Sequence, residues 1–506
     1  MPAKILMIQG TGSSVGKSIL VTALCRIFKQ QGLRVAPFKA QNMSLNSFVT
    51  AAGDEIGRAQ VVQAEAAGIA PTVEMNPVLL KPESDNHAQI IVRGKALTRI
   101  SAARFPQLKD DLWSAITESL DQLRRAYDVV VIEGAGSPAE INLKDRDLVN
   151  MKVARYCNAP VLLAADIDRG GIFAALVGTM ELLDAPEKER VKAFIVNKFR
   201  GDVSLLTPGL DWLEARTGVP VAGVVPYYHD IHIAEEDSVA LEKRYMMKNR
   251  RDFDLDIAVI ALPHIANFDD FDPFEREPRV RLRYVEAGDD LGAPDLIILP
   301  GSKATVADLG YLRSGGRVQQ ILRAASAGVP IIGICAGYQM LGSAIHDPEL
   351  IESSSALTAG IGLLPVATRF LPVKSTHQVR ARTLAGFGLL AKAQNAVISG
   401  YEIHMGQTEG QGVSQPFLIE QRSQQICSDG DGTLSADGNV VGTYIHGLFH
   451  NHGLLRAILL ELAERKGLTL APSVTNFAVD EQYDRLAAHV RASLNMELIQ
   501  RILAQQ

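Results

Sequence analysis

Short β-branched runs bounded by glycine or proline alternate along the chain with longer amphipathic stretches, the pattern of parallel strands covered by helices on both faces. Runs at residues 5–8, 129–132, 161–164 and 194–196 predict strands of one sheet. After Val225-Pro226 the pattern breaks. Residues 227–254 are polar, with Glu235-Glu236-Asp237 and a basic run over 248–251, and have few apolar anchors, so they read as a linker. A second series begins at 257–261, continues through 296–299 and 331–334, and ends near 440–445. Beyond residue 480, Leu494, Leu498 and Ile502 fall at helical spacing. The expectation is an α/β protein with two doubly wound, mainly parallel-sheet domains: residues 1–235, a linker over 236–254, residues 255–480, and one terminal helix over 481–506.

Composition narrows the function. A chain of 506 residues, 47% hydrophobic, can build more than one core. Its formal charge of −6 offers no general attraction for nucleic acid or anionic membrane, though a local basic pocket is permitted, so small-molecule chemistry is expected. Cys25, Cys157, Cys335 and Cys427 lie far apart without metal-ligand spacing, which suits a reducing compartment. Residues 1–9 read as a strand rather than a leader, and no stretch is long and apolar enough to span a bilayer. The expected location is the cytoplasm.

The first run leads into Gln9-Gly10-Thr11-Gly12-Ser13-Ser14-Val15-Gly16-Lys17-Ser18 and then a helical stretch. Strand, glycine-rich turn and helix in this order make a phosphate cradle. Backbone N–H groups from Gly10, Thr11, Gly12, Val15 and Gly16 surround the phosphates, Lys17 supplies a compact charge, and the Ser18 hydroxyl reaches Mg²⁺. The first glycine of the strict P-loop pattern is replaced by Thr11, with glycine on either side; this variant resembles the dethiobiotin synthetase-like branch of P-loop enzymes. The run 129–132 delivers Glu133 at its carboxyl end, where ligands of open α/β sheets gather, as a second metal-side group. Asp54 is a third candidate, with an N-cap role as the alternative. Asn197-Lys198 ends another strand as base-reading segments do; Arg200 cannot accept the hydrogen bonds that guanine offers, so ATP is favoured over GTP, the alternative being a solvated basic strand end.

In the second half, an apolar strand runs into Gly333-Ile334-Cys335-Ala336-Gly337 and a helix start. Such an elbow exposes a nucleophile above the sheet, and Cys335 is the expected one. Gly301 and Ser302, at the end of an upstream strand, and Ala336 and Gln339, beside the cysteine, are candidates for oxyanion and glutamine contacts. His446 ends the last strand and can serve as base and then acid to Cys335. This order resembles the class I glutamine amidotransferase domain. That family places a glutamate two positions after the histidine; here the residue is Leu448, so the resemblance leaves open a substitute group, a water, or hydrolysis that is slow until the other domain is loaded. His404 has no nucleophile in sequence and reads as structural or substrate-facing.

A nucleotide domain joined to an amidotransferase domain implies that ATP activates a carboxylate as an acyl phosphate and ammonia displaces the phosphate. Ammonium lacks a free lone pair, so a closed passage between the domains is expected. Over residues 4–472 the chain resembles the corrinoid glutamine amidotransferases. Pro37-Phe38-Lys39-Ala40-Gln41-Asn42-Met43-Ser44-Leu45-Asn46-Ser47, Glu55-Ile56-Gly57-Arg58-Ala59-Gln60 and Ala165-Asp166-Ile167-Asp168-Arg169-Gly170-Gly171 are similar to the branch that amidates the b, d, e and g carboxylates of adenosylcobyrinic acid a,c-diamide. Lys39, Gln41, Asn42, Asn46, Arg58 and Arg169 are candidate donors to this polycarboxylate, or else loop and cap residues. The competing readings are the a,c-diamide synthase branch, another glutamine-dependent ligase, and a P-loop ATPase switch carrying a non-catalytic module.

Overall fold

Because helices cover both faces of a parallel sheet, its strands must be apolar throughout, and the sequence runs have this property. The computed structural model describes residues 2–84, 87–101, 105–228, 252–286, 288–470 and 479–506; of the expected linker only residues 252–254 fall within them. Strands β1 (Lys4–Gly10), β2 (Val35–Phe38), β3 (Val129–Glu133), β4 (Val161–Asp166), β5 (Val191–Phe199) and β6 (Val221–Pro226) form an all-parallel sheet in the order β6-β5-β4-β1-β3-β2. The order reverses about β1, so its carboxyl end opens as a crevice. Helix α1 (Lys17–Gln30) starts there. Its N-cap, Gly16, has φ 96°, and a Cβ at this position would lie 2.1 Å from Asn197 Nδ2, so only glycine fits.

The second sheet comprises β7 (Leu255–Ile260), β8 (Val280–Val285), β9 (Leu296–Leu299), β10 (Ile331–Ile334), β11 (Thr433–Leu434) and β12 (Val440–Thr443), ordered β8-β7-β9-β10-β12-β11. All its pairings are parallel except β11 with β12. Helix α2 (Ala336–Leu341) follows β10. Between α2 and β11 the chain forms a long antiparallel ribbon, Ala367–Thr383 against Val397–Glu409, which the alternation of runs and helices did not foretell. The ribbon reaches the first domain. Thr376 Oγ1 donates to Gly53 O (2.7 Å), Gln378 Nε2 to Val49 O (3.0 Å) and Tyr401 OH to Ser47 O (3.2 Å), all on the hairpin that pairs Ser47–Val49 with Glu55–Gly57.

The tail departs from expectation. Residues 481–506 do not form one helix. The structure has α3 (Val479–Ser493) and α4 (Met496–Ala504), broken where Asn495 donates its N–H to Ala222 O (2.6 Å) and its side chain caps α4 by accepting from Leu498 N. Both helices return to the first domain. Tyr483, Leu486, Val490, Ile499 and Ile502 share one core with Leu20, Leu24 and Phe28 of α1. The chain therefore closes on the helix that carries Lys17 and Ser18. No helix among the described residues is long and apolar enough to cross a membrane. Leu486→Ala should lower stability by about 2–5 kcal/mol, since it empties a fully buried site, and should weaken nucleotide binding through α1; denaturant unfolding and nucleotide titration measure the two effects.

Candidate functional site

At the crevice of the first sheet, Lys17 Nζ folds back over the loop and donates to Gly12 O (2.7 Å) and Gly136 O (3.1 Å). Ser18 Oγ donates to Glu133 Oε1 (2.8 Å), so two groups expected from segments 115 residues apart meet. Glu133 is buried; it also accepts from Lys39 Nζ (2.9 Å) and Gln63 Nε2 (2.5 Å). A hydroxyl oxygen beside a carboxylate oxygen is a donor set that suits a hard divalent ion, and Lys39 occupies the cation position on Glu133. Lys17 over the loop suits polyphosphate.

The structure corrects several expectations in this half. Asp54 sits in the hairpin turn, where its carboxylate pairs with Lys95 (2.7 Å); it makes no contact with Ser18 or Glu133 among the described residues, and Gly57, not Asp54, caps the following helix. Thr11 gives its N–H to Ala164 O (3.0 Å), so the neighbouring strand β4 takes a donor expected at the phosphates. Asn197 Nδ2 donates to Val15 O (2.8 Å) and Lys198 pairs with Asp166 (2.7 Å), so the end of β5 braces the phosphate loop. Of the substrate candidates, Lys39 is committed to Glu133 and Asn42 to Gln60 (3.1 Å). Asn46 Oδ1 accepts from Phe268 N (3.2 Å), and Arg58 pairs with Asp269 (3.0 Å). Gln41 is half-buried, and Arg169 is exposed on the loop after β4.

In the second half, Cys335 lies between β10 and α2 at φ 52°, a left-handed conformation costly for a residue with a Cβ. A Cβ on Gly337 would meet Leu299 O at 2.0 Å, so the elbow packs too closely for any side chain there. His446 is buried beside it. Its Nδ1 donates to Asp270 Oδ2 (2.7 Å), while Asp270 Oδ1 accepts from Gly447 N (2.7 Å). Nε2 is not engaged by Asp270, and Cys335, whose Sγ donates to Ile403 O (3.7 Å), acts electrostatically on the imidazole. Burial pushes the imidazole pKa down, but Asp270 and Cys335 outweigh it and carry it up to about 10. Tyr401 stacks on the ring at 5.3 Å.

Gly301 lies against the imidazole: a Cβ there would stand 3.1 Å from His446 Cε1. Ala336 opens α2 with an N–H that has no acceptor within the helix. The hydroxyl of Ser302 instead serves its own loop, donating to Asp308 (2.6 Å) and accepting from Ala304 N (2.9 Å). Gln339 accepts from Thr305 on its oxygen (3.2 Å) and donates from its nitrogen to Tyr444 (3.2 Å). His404 donates from Nδ1 to Gly406 O (2.7 Å) and stacks on Tyr444 at 3.8 Å; burial above all pushes its pKa down to about 4, which keeps it neutral.

Asp270 is the residue that sequence reasoning missed. It precedes His446 by 176 positions, and the available signal was a pair of adjacent acids set between Phe268 and Phe271. The loop carrying it lies at the domain contact, beside a cavity of about 390 Å³ lined by Arg58, Asp269, Asp270, Arg380, Tyr401 and His450 among others.

Comparison with known proteins agrees with both halves. Residues 6–240 match the CobQ/CobB/MinD/ParA nucleotide binding domain, and residues 256–454 match the CobB/CobQ-like glutamine amidotransferase domain. A cobyric acid synthase of Sorangium cellulosum (strain So ce56) is 55% identical, with 99% of each chain covered. One of Desulforamulus reducens is 51% identical over 99% of this chain and 98% of its own. Among solved structures, PurLQS from Thermotoga maritima matches 41% of this chain and 99% of its own at 22% identity, with a TM-score of 0.30. With about half of its residues identical over nearly the whole length, the chain belongs to the cobyric acid synthase family, ATP-dependent ligases that take ammonia from glutamine.

Proposed function

We propose that this chain amidates the b, d, e and g carboxylates of adenosylcobyrinic acid a,c-diamide, drawing ammonia from glutamine and activating each carboxylate with ATP. The observation that carries the reading is the complete set Cys335, His446 and Asp270, assembled at the contact with the phosphate-binding domain. Asp270 holds the imidazole by Nδ1, so Nε2 can exchange a proton with Cys335. The Cys335 thiolate adds to the side-chain amide carbon of glutamine, and donors at Gly301 and Ala336 receive the oxyanion. His446 then gives its Nε2 proton to the departing ammonia, leaving a thioester that water, deprotonated by the same nitrogen, converts to glutamate. In the other domain Lys17 and the loop backbone hold the triphosphate while a substrate carboxylate takes the γ-phosphoryl group. Ammonia displaces phosphate from the resulting acyl phosphate and forms the amide. Ser18 and Glu133 would hold Mg²⁺, which supplies neutralising charge to the transferring phosphoryl group. Gln41 and Arg169 remain the side chains offered to the corrin carboxylates. A binding module has no use for a strained cysteine beside an imidazole held by a buried carboxylate, which disfavours a switch with a non-catalytic second domain. The proposed setting is the cytoplasm.

Cys335→Ala should cut glutamine-driven amidation at least about 10³-fold yet leave amidation driven by ammonium salts near the parent rate; product mass with each nitrogen source reads this directly. Lys17→Ala should abolish both. If Cys335→Ala loses both reactions or neither, the two-site reading is wrong.

Asp270→Asn removes the anion that raises the imidazole pKa, so the imidazolium should deprotonate at lower pH than in the parent. Glutamine hydrolysis by the parent should hold its rate to beyond pH 9, whereas the variant should lose about tenfold or more at neutrality and decline earlier on the alkaline side. An unchanged alkaline limb would remove Asp270 from this role.

A further inference from the structure

One helix of the phosphate-binding domain, Arg58–Ala67, touches both reaction centres. At its start Arg58 crosses the domain contact to pair with Asp269 (3.0 Å). Five residues later, about 7.5 Å along the axis, Gln63 donates to Glu133 (2.5 Å). Asp269 directly precedes Asp270, the carboxylate that holds His446. The same short loop is gripped at two more points from the first domain: Phe268 N donates to Asn46 Oδ1 (3.2 Å), and Ser47 N donates to Asn267 Oδ1 (3.0 Å).

Two adjacent carboxylates, both buried, need a cation. Burial raises the Asp269 carboxyl above its ordinary range, Arg58 opposes that rise, and Asp270 adds to it. With Arg58 gone, Asp269 must take a proton or move toward water. Movement of the loop would carry Asp270 away from His446 Nδ1.

We propose that Arg58 is a positioning residue for glutamine hydrolysis: from the phosphate-binding domain its guanidinium holds Asp269 and so keeps Asp270 on His446. The glutaminase is then complete only while the two domains are docked, and ammonia is released only where an acceptor site faces it. This rests on the function proposed above, but glutamine hydrolysis tests it even if the acceptor is a different carboxylate.

The experiment uses the full chain in four forms: parent, Arg58→Ala, Arg58→Lys and Arg58→Ala with Asp269→Asn. Glutamine hydrolysis is followed at steady state, and amidation of the corrinoid is followed separately with ammonium salts. Arg58→Ala should lower kcat for glutamine about tenfold, leave KM within about twofold, and spare the ammonium-driven rate. Arg58→Lys should recover at least about half of the loss, because it restores a cation. The double variant should also recover, because no unpaired carboxylate is left beside Asp270. Arg58→Gln, which removes the charge at similar size, takes the place of the alanine chain if that fails to fold. Loss confined to the ammonium-driven reaction would assign Arg58 to the acceptor and overturn the proposal, as would unchanged glutamine hydrolysis or a double variant no better than Arg58→Ala. A parent that hydrolyses glutamine but never amidates this corrinoid would sink the substrate assignment alone.

Discussion

Asp269 and Asp270 are both buried at the domain contact, and the chain draws on both domains to supply partners for the pair. His446 Nδ1 and Gly447 N take the two oxygens of Asp270, and Arg58 balances the neighbouring Asp269 from the other side of the contact. Removing one member of a buried ion pair typically costs about 3–5 kcal/mol, because the remaining charge stays without solvent. The placement of the imidazole over Cys335 and the docking of the two domains thus become one structural problem. Within the amidotransferase domain His446 and Gly447 partner Asp270 and His450 lies against Asp269, but the guanidinium that pairs with Asp269 comes from the first domain.

The rest of the contact is built in the same way. Glu55 lies between Lys81 (2.7 Å) and Lys374 (2.5 Å), the second contributed by the ribbon of the amidotransferase domain. Burial alone would raise its carboxyl, but the two lysines hold it well below the usual range. Lys81 in turn is pushed down to about 8 by burial, against the pull of Glu55. Lys303, which follows the Gly301-Ser302 turn, reaches Glu83 of the first domain (3.0 Å). Buried pairs add little net stability compared with apolar packing, yet they tolerate little displacement. An interface made from them fixes the relative placement of two active sites, which transfer of a small, easily protonated nucleophile requires.

Glu133 is the counterpart of Asp270 in the first domain. It sits at the end of β3 with Ser18, Lys39 and Gln63 converging on its two oxygens. Gln63 and Arg58 share one helix, so the buried carboxylates of the two sites are both held by a single rigid element. The C-terminal helices fasten the other flank of α1 and complete a core that begins at β1.

Features set by near neighbours in the chain were legible in the sequence. The strands were legible because burial on both faces demands unbroken apolar runs, the phosphate loop because Gly16-Lys17-Ser18 must follow a strand and open a helix, and the Cys335 elbow because only small flanking residues fit the turn. The resemblance to corrinoid amidotransferases rested on such local motifs and held across the whole chain. Tertiary structure alone decided which polar groups meet. Asp54, Asn197, Asn46 and Arg58 carry the right chemistry for ligands, but each finds a protein partner first, and no local pattern reveals that partner. Asp270 likewise becomes the third member of the glutaminase only when β7 and β12 bring residues 270 and 446 together. A buried charge takes its partner from the fold around it, whereas an apolar strand or a glycine turn is dictated by its own few residues.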